Sequence, residues 1–283
     1  MKKNKRMWLV ASLLLASVLP STAAKVDTLM VRSPSMNKAV QVVVVVPDAA
    51  GRKGASEFPV VYLLHGYGGN ATSWIALKPG LKRIADEKGL IFVCPDGRNS
   101  WYWDSPRDPS YRYETFVSTE LVRYVDTHYP TAAKREARAI TGLSMGGHGA
   151  LWLAFRHKET FGACGSTSGG VDIRPFPQNW EMAKQLGEYV ANQKVWDEHT
   201  VTNQLGRVAH GDLAIIIDCG EDDFFLEVNK ELHQRLLARG IDHDFITRPG
   251  GHNGPYWQNA IDYQLLFFEK YFGRRDRIAE ARR

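Results

Sequence analysis

Cysteine is scarce in this chain of 283 residues: there are only three, and no two of them have C-x-x-C spacing. A metal site built from paired cysteines is therefore not expected. Cys94, Cys164 and Cys219 each lie in an apolar, strand-like run, which predicts buried thiols. One disulfide in an oxidising compartment is the alternative, and the odd number then leaves at least one thiol free.

Internal repeats at solenoid spacing and low-complexity tracts are also absent. Net positive charge is lacking in the middle of the chain. Residues 1–24 carry four basic residues and residues 274–283 a net charge of +3, whereas the whole chain has +5. The remainder is therefore slightly acidic, and no nucleic-acid partner is expected. We predict that residues 274–283 form a basic tail, a solvated helix end outside the domain.

The amino end has the three parts of a secretory signal. A basic region at residues 2–6 precedes an apolar stretch at residues 7–20, which is short for a membrane span. Small residues follow and predict cleavage near Ala23 or Ala24. We expect residues 1–24 to be a signal peptide and the mature protein to be periplasmic or extracellular, without a membrane span. An uncleaved anchor is the alternative.

Residues 25–273 have the length and pattern of one α/β domain. Two strand-like runs at the start predict an antiparallel pair at a sheet edge. Strands and helices then alternate, which predicts a mostly parallel central sheet with helices on both faces. The predicted strands are 26–31, 39–46, 58–64, 90–94, 138–142, 161–167, 213–219 and 243–248, and the predicted helices are 79–88, 114–128, 147–157, 225–239 and 257–272.

Residues 171–211 interrupt this alternation. They contain Pro175, Pro177, Trp180 and Trp196 but little strand pattern. We expect a cap or lid insertion of short helices beside the site, with a part in selecting the substrate. An ordinary long connection with a helix is the alternative.

The run GLSMGG at residues 142–147 reads G-x-S-x-G between a strand-like and a helix-like segment. That context is typical of a nucleophile elbow, a tight turn that holds a serine hydroxyl out into a cleft. Glycine suits such a turn because the strand and the helix pass close together. The helix start directs free N–H groups toward the reacting centre. The pattern predicts Ser144 as a nucleophile, with a purely structural turn as the alternative.

A serine needs a base, and the base needs an acid that orients it. Behind such an elbow the acid and the histidine follow in that order, each after a strand. The predicted strand 213–219 ends in three acidic residues at 221–223, and the last strand runs into a Pro-Gly-Gly loop that carries His252. The acidic residues could simply be charges at a helix N-terminus. The histidine's place after the last strand favours a role as base.

Acyl transfer also needs two N–H groups for the negative charge that develops on the carbonyl oxygen. We expect one from Met145, directly after the nucleophile, and one from Tyr67, in the loop after strand 58–64. Glycines in that loop allow the backbone to approach a ligand closely. The same loop is expected to bring His65 and Gly66 to the substrate.

Taken together, these runs resemble the α/β-hydrolase group of esterases that includes S-formylglutathione hydrolases, tributyrin esterases, feruloyl and acetylxylan esterases, and mycolyltransferases. The resemblance covers residues 40–272 and is greatest to the secreted tributyrin and feruloyl esterase branch. The runs that carry it are YLLHGYGGNATSW (62–74), FVCPDGRNSWYWDSP (92–106), YETFVSTELVRYVDTHY (113–129), ITGLSMGGHGAL (140–151), DCGEDDFFLEVN (218–229) and PGGHNGPYW (249–257).

The resemblance implies an α/β-hydrolase fold and a triad of Ser144, Asp223 and His252, with Asp222 as the alternative acid. It implies a secreted serine carboxylic ester hydrolase that acts through an acyl-enzyme on short-chain or carbohydrate-linked acetyl or feruloyl esters. Neither a metal nor an organic cofactor is expected. Gly254 stands where relatives often have a bulkier residue, which would widen the pocket.

Three other functions stay open. Two are enzymatic: an acyltransferase of the mycolyltransferase type and a thioesterase like S-formylglutathione hydrolase. The third is that of a non-catalytic carbohydrate-binding relative. No cysteine follows the His-Gly run, which counts against a glutathione thioester. Trp101 and Trp103 follow a strand end, so we expect their rings to face the cleft with Trp257, because aromatic faces pack well on sugars and phenolic acyl groups. A place in the core beneath the loops is the alternative for most of these rings, and for Trp257 it is slightly favoured. Ser168 is expected to line the pocket.

Overall fold

A sheet of eight strands organises the computed structural model, which describes residues 23–51 and 57–280 and the side chains as far as residue 273. The strands are β1 (Lys25–Ser33), β2 (Lys38–Val46), β3 (Val60–Leu64), β4 (Ile91–Pro95), β5 (Arg138–Gly142), β6 (Ala163–Thr167), β7 (Ala214–Gly220) and β8 (Asp244–Arg248). Their spatial order is β1-β2-β4-β3-β5-β6-β7-β8. β2 is antiparallel to both of its neighbours, and every other pairing is parallel.

Helices occupy the connections between the strands. They are α1 (Ser73–Leu77), α2 (Leu81–Lys88), α3 (Tyr113–Thr115), α4 (Leu121–His128), α5 (Met145–Arg156), α6 (Met182–Leu186), α7 (Gln193–Glu198), α8 (Leu226–Ala238) and α9 (Gly254–Glu280). A π-helical stretch, Phe116–Glu120, joins α3 to α4. The bounds lie near the predicted ones, except that α9 extends from before residue 257 to beyond residue 272.

Both faces of the sheet are buried, and this explains why its inner strands are apolar almost throughout. In β2, Val42 and Val44 belong to one core while Val43 and Val45 belong to the other. Side chains of α4, α5 and α8 complete the first core, and side chains of α2 and α9 complete the second. The sheet therefore separates two helical layers, as the alternation predicts.

The three cysteines are buried in β4, β6 and β7 and are unpaired. Burial raises the pKa of each thiol, so Cys94, Cys164 and Cys219 are protonated at neutral pH. Within residues 23–51 and 57–280, no helix is both long enough and apolar enough to cross a bilayer. The predicted signal peptide lies outside the described residues apart from Ala23 and Ala24.

The predicted cap region, residues 171–211, consists of α6, α7 and short 3₁₀ helices such as Val201–Asn203 and Leu205–Arg207. Trp196 of α7 is fully buried, and its indole N–H donates to the Gly187 carbonyl oxygen at 2.9 Å. Such contacts fasten these short helices to one another, because a helix of five or six residues has little stability of its own.

A buried carboxylate fastens α3 to α5. Glu114 accepts hydrogen bonds from Trp152 Nε1 (2.9 Å), Arg156 Nε (2.7 Å) and His157 Nε2 (2.9 Å). Burial disfavours ionisation, but these donors outweigh it and lower the pKa of Glu114 to about 2. The same contact raises the pKa of His157 above its ordinary value despite burial.

Acid is expected to destabilise the protein through Glu114. Because its pKa is lower in the folded chain, this carboxylate stabilises the fold above its ordinary pKa and loses that effect as the pH falls toward about 2. The loss amounts to roughly 3 kcal/mol of unfolding free energy. Urea denaturation of the unchanged protein and of Glu114→Gln, at about pH 5 and about pH 2.5, measures it. Identical pH dependence in the two proteins would contradict the prediction.

Candidate active site

Ser144 stands at the turn between β5 and α5. Its φ is +56°, in the left-handed region that non-glycine residues rarely adopt, and its side chain is partly exposed. A Cβ on Gly142 would overlap the carbonyl of Gly146, and a Cβ on Gly146 would overlap the carbonyl of Leu64. Only glycine therefore allows this close approach of β5, α5 and the end of β3, which presents the serine hydroxyl at the carboxyl end of the sheet.

His252 lies between Ser144 and Asp223. Its Nε2 is 2.9 Å from Ser144 Oγ, and its Nδ1 is 2.9 Å from Asp223 Oδ2. The Asp223 side chain is completely buried, so its carboxylate fixes Nδ1 as the protonated nitrogen and leaves Nε2 free to accept the serine proton. The N–H of Phe225 also donates to Asp223, at 2.9 Å. The structure thus brings His252 into contact with Ser144, 108 positions before it, and with Asp223, 29 positions before it.

The two neighbouring acidic residues have different surroundings. Asp222 is exposed and its N–H donates to the Gly250 carbonyl at 2.9 Å, whereas Asp223 is buried against His252. Asp223, the first choice of the sequence analysis, therefore has the position of an orienting acid, and Asp222 does not.

The loop after β3 lies close to Ser144, and it carries Tyr67. In the part of the chain that the structure describes, neither the Tyr67 nor the Met145 N–H donates a hydrogen bond. Met145 directly follows Ser144 and Tyr67 lines the same cleft, and free N–H groups here are suited to an oxyanion. Asn99 holds the loop in place, because its Oδ1 accepts from the Gly68 N–H at 2.9 Å. Asn99 was not singled out from the sequence.

A cleft of about 560 Å³ opens above Ser144 and His252. Gly66, Tyr67 and Trp257, which the sequence assigned to the site, line it together with residues that the sequence did not assign to substrate. Those additional residues are Gly68, Gly69, Ser73, Leu77, Leu143, Trp180 and Phe224. The wall is therefore largely apolar and aromatic, which suits the hydrocarbon part of an acyl group.

Aromatic rings surround His252. Phe224 lies 4.3 Å from the His252 ring, and Trp257 meets the same ring edge-on at 4.9 Å, both measured between centroids. Trp180, from the cap region, stacks on Phe224 at 5.8 Å. In the sequence, the two phenylalanines that directly follow Asp223 indicated that Phe224 could lie beside the site. For Trp180 the only signal was its place in the irregular segment.

Ser168 does not line the cleft, so that prediction is wrong. It is fully buried, and its Oγ accepts from Trp257 Nε1 at 3.1 Å. Its contribution is to orient Trp257 by accepting from the indole N–H.

Trp101 and Trp103 do not face the cleft either. Both are fully buried, stacked on each other at 5.6 Å, and both rings meet His148 edge-on. Trp103 Nε1 donates to His148 Nε2 at 2.8 Å, and His148 Nδ1 donates to the Gly170 carbonyl. Burial lowers the pKa of His148 to about 3, so this ring is neutral and can accept. The indoles therefore pack against α5, behind Ser144.

The prediction that His65 contacts the substrate is also wrong. It is 1% exposed; its Nδ1 donates to the Gly66 carbonyl at 2.7 Å, and its Nε2 accepts from the Gly97 N–H at 2.8 Å. Both ring nitrogens are thus used by backbone groups. His65 shapes the loop that carries Tyr67 and does not reach the substrate cleft.

The geometry permits nucleophilic acyl transfer: a hydroxyl, a base and a buried acid in one line, beside free N–H groups and an apolar cleft. The described residues contain no group of three or more His, Cys, Asp or Glu side chains placed to hold a metal ion.

Comparisons with known proteins give a consistent result. A family model described as "Putative esterase" matches residues 33–268. An acetyl esterase of Caldicellulosiruptor saccharolyticus is 27% identical over 231 residues, which are 76% of this chain and 85% of that protein. A ferulic acid esterase structure is 29% identical with a TM-score of 0.76, covering 88% of this chain and 98% of that one.

A structure that is less similar in sequence shows the same fold. FphF, a fluorophosphonate-binding serine hydrolase of Staphylococcus aureus, has a TM-score of 0.77 at 21% identity and covers 88% of this chain and 99% of its own. The predicted fold class, an α/β-hydrolase fold with a mostly parallel sheet and helices on both faces, is confirmed.

Proposed function

We propose, from the premise that this chain belongs to the putative esterase family and is a carboxylic ester hydrolase, that it works by a Ser144–His252–Asp223 triad through an acyl-enzyme. The observation that carries the proposal is the pair of contacts made by His252, 2.9 Å to Ser144 and 2.9 Å to Asp223.

In the first half of the reaction, Ser144 Oγ attacks the ester carbonyl carbon while His252 Nε2 takes the serine proton. Asp223 stabilises the imidazolium that forms. The carbonyl oxygen gains the negative charge, and the N–H groups of Tyr67 and Met145 donate to it. The carbon–oxygen bond to the alcohol then breaks, and His252 gives its proton to the departing alcohol oxygen.

In the second half, water takes the place of the alcohol. His252 accepts a proton from the water as its oxygen attacks the acyl carbon. The bond to Ser144 Oγ breaks, the serine recovers its proton from His252, and the carboxylic acid leaves. His252 thus carries one proton from Ser144 to the alcohol and one from the water to Ser144, and the net reaction consumes one water molecule.

We propose that the acyl group of the substrate binds in the cleft above Ser144. Trp180, Phe224 and Trp257 provide apolar surface next to Ser144. Acetyl and feruloyl groups both fit a cleft of about 560 Å³. Relatives include an acetyl esterase and a ferulic acid esterase, and we propose short-chain or carbohydrate-linked esters of these acids as substrates.

Rapid mixing with nitrophenyl esters tests the acyl-enzyme. A burst of nitrophenol equal to the enzyme concentration, followed by slower turnover, is the expected result when deacylation is slower than acylation. Mass spectrometry of the quenched protein should then show the acyl group on the peptide that contains Ser144. An acyl group found on another residue would contradict the assignment.

We also propose that the chain is exported and cleaved between Ala23 and Ala24. The methyl group of Ala24 is buried, and its nitrogen lies 2.8 Å from Asp86 Oδ2. Cleavage there would turn this nitrogen into an ammonium group, which the carboxylate would bind as a charge-assisted hydrogen bond. Amino-terminal sequencing of protein recovered from the periplasm or medium should begin at Ala24. A first residue of Lys25, or an uncleaved chain, would contradict the prediction.

A further inference from the structure

A short loop carries His252 between the last strand and the last helix. β8 ends at Arg248 and α9 begins at Gly254, so residues 249–253 join them. Their sequence is PGGHN, which contains two glycines and places His252 four residues after Arg248 and four before Tyr256. Glycine leaves a backbone many accessible conformations. The position of the imidazole therefore depends on the contacts that hold the two ends of this loop.

Asp218 binds both ends of the loop. It lies in β7, and its side chain is completely buried. Its Oδ2 accepts a hydrogen bond from Arg248 Nη2 at 2.7 Å, and its Oδ1 accepts one from the Tyr256 hydroxyl at 2.5 Å. Each carboxylate oxygen thus has a donor from one end of the loop. Loss of a donor would leave buried charge without compensation, which is costly, so we expect both contacts to persist.

The middle of the loop is held to the end of the same strand. The Gly250 carbonyl accepts from the Asp222 N–H at 2.9 Å. The ring of Tyr256 packs on Gly250, where a Cβ would come within 2.7 Å of the tyrosine Cδ2 and where φ is +134°. Tyr256 therefore fixes the glycine backbone two residues before His252, in addition to its contact with β7.

Asp218 is separate from the reacting groups. Among the described residues, the hydrogen bonds of its side chain go to Arg248 and Tyr256 alone. Asp223, five residues further along the chain, contacts the His252 ring directly. The end of β7 thus supplies two buried carboxylates in different positions: one bonds to the imidazole, and the other bonds to the loop that carries it.

From these contacts we infer that Asp218 is a positioning residue for ester hydrolysis: by holding Arg248 and Tyr256, it keeps His252 Nε2 within reach of the serine hydroxyl. The inference rests on the proposed function, since it concerns the base of that reaction. A displacement of about 1 Å between reacting groups can cost on the order of 100-fold in rate. Neither Asp218 nor its two partners line the cleft above the serine, so substrate binding should be little affected.

Asp218→Asn is the first test. The amide keeps the size of the side chain and can still accept from Tyr256, but its NH₂ group would face the guanidinium of Arg248. We expect kcat for nitrophenyl acetate to fall about 10- to 100-fold. KM should stay within about twofold, because both half-reactions use His252 and slow together. The downfield proton NMR signal expected for His252 Nδ1–H, bonded to Asp223, should broaden or disappear.

Tyr256→Phe is the second test, and it is available even if Asp218→Asn fails to fold. It removes one hydroxyl and leaves the ring on Gly250. We expect kcat to fall about three- to tenfold, the size of one lost hydrogen bond, again with little change in KM. In the combined variant the loss in kcat should be smaller than the product of the two single losses, because both changes act through one carboxylate.

Asp126→Asn is the matched control. Asp126 of α4 also accepts from one hydroxyl and one arginine, namely Thr131 Oγ1 at 2.7 Å and Arg138 Nη2 at 2.7 Å. Arg138 begins β5 and Ser144 follows its end, so this carboxylate lies at the opposite edge of the sheet from the site. The control variant should be destabilised in urea but keep its kcat.

Three outcomes would overturn the inference: full kcat in the folded Asp218 and Tyr256 variants, an unaltered His252 signal in Asp218→Asn, or an equal loss of kcat in Asp126→Asn. Ser144→Ala, measured in the same assay, separates this failure from that of the proposed function. Activity retained in Ser144→Ala would overturn the proposed function, whereas the three outcomes above leave it standing.

Discussion

Alanine at position 144 is expected to lower kcat for nitrophenyl acetate by about 10⁴- to 10⁶-fold, because the acyl-enzyme can no longer form. The fold should persist. The Ser144 hydroxyl makes its side-chain hydrogen bond to His252 alone among the described residues, and alanine tolerates the left-handed backbone about as well as serine. Steady-state kinetics and a thermal denaturation curve of Ser144→Ala measure the two effects separately.

Ser166→Ala is the matched control for this variant. Ser166 lies in the neighbouring strand β6, and its buried hydroxyl has no hydrogen-bond partner among the described residues. Its removal should therefore change kcat little. If Ser144→Ala retained most of its activity while folding normally, another nucleophile would have to be sought.

Asparagine in place of Asp223 is expected to reduce kcat by about 10⁴-fold. The amide can donate its N–H to His252 Nδ1, which would move the imidazole proton to Nε2. The ring would then face Ser144 with a proton and could not accept one. The size of the effect depends on Asp223 being buried at 2.9 Å from the ring, where no water can replace it. Kinetics of Asp223→Asn with nitrophenyl acetate measure it.

Asp222→Asn is the matched control for Asp223→Asn. Asp222→Asn removes an exposed carboxylate one position earlier, and activity should stay within about twofold of the unchanged protein, because the carboxylate makes no contact with His252. A large loss in Asp222→Asn combined with a small loss in Asp223→Asn would reverse the assignment of the acid.

The sequence predicts those parts of the site that depend on strand order. Ser144, Asp223 and His252 each follow a strand of a parallel sheet, and the carboxyl ends of parallel strands lie at one edge. Alternation of strand and helix was therefore enough to place them near one another. The distances and the choice between Asp222 and Asp223 depend on loop conformation, and for that choice the family resemblance was needed.

The direction of a loop side chain could not be predicted in the same way. Trp101 and Trp103 follow a strand end, as substrate-binding residues often do, but their rings turn inward. Trp101 and Tyr102 both have positive φ, and the indole of Trp103 finds its hydrogen-bond partner in His148, which is 45 residues away. Neither the backbone conformation nor that distant partner is visible in the local pattern.

The position of β8 has a consequence for heat inactivation. This strand is the last of the sheet, pairs only with β7 among the described strands, and has no buried residue. It leads into the loop with His252, whereas Ser144 is anchored at the middle of the sheet. Fraying of this edge would withdraw the imidazole while both cores stay intact. The enzyme should therefore lose turnover reversibly on warming, at temperatures where its circular dichroism is still that of the native state.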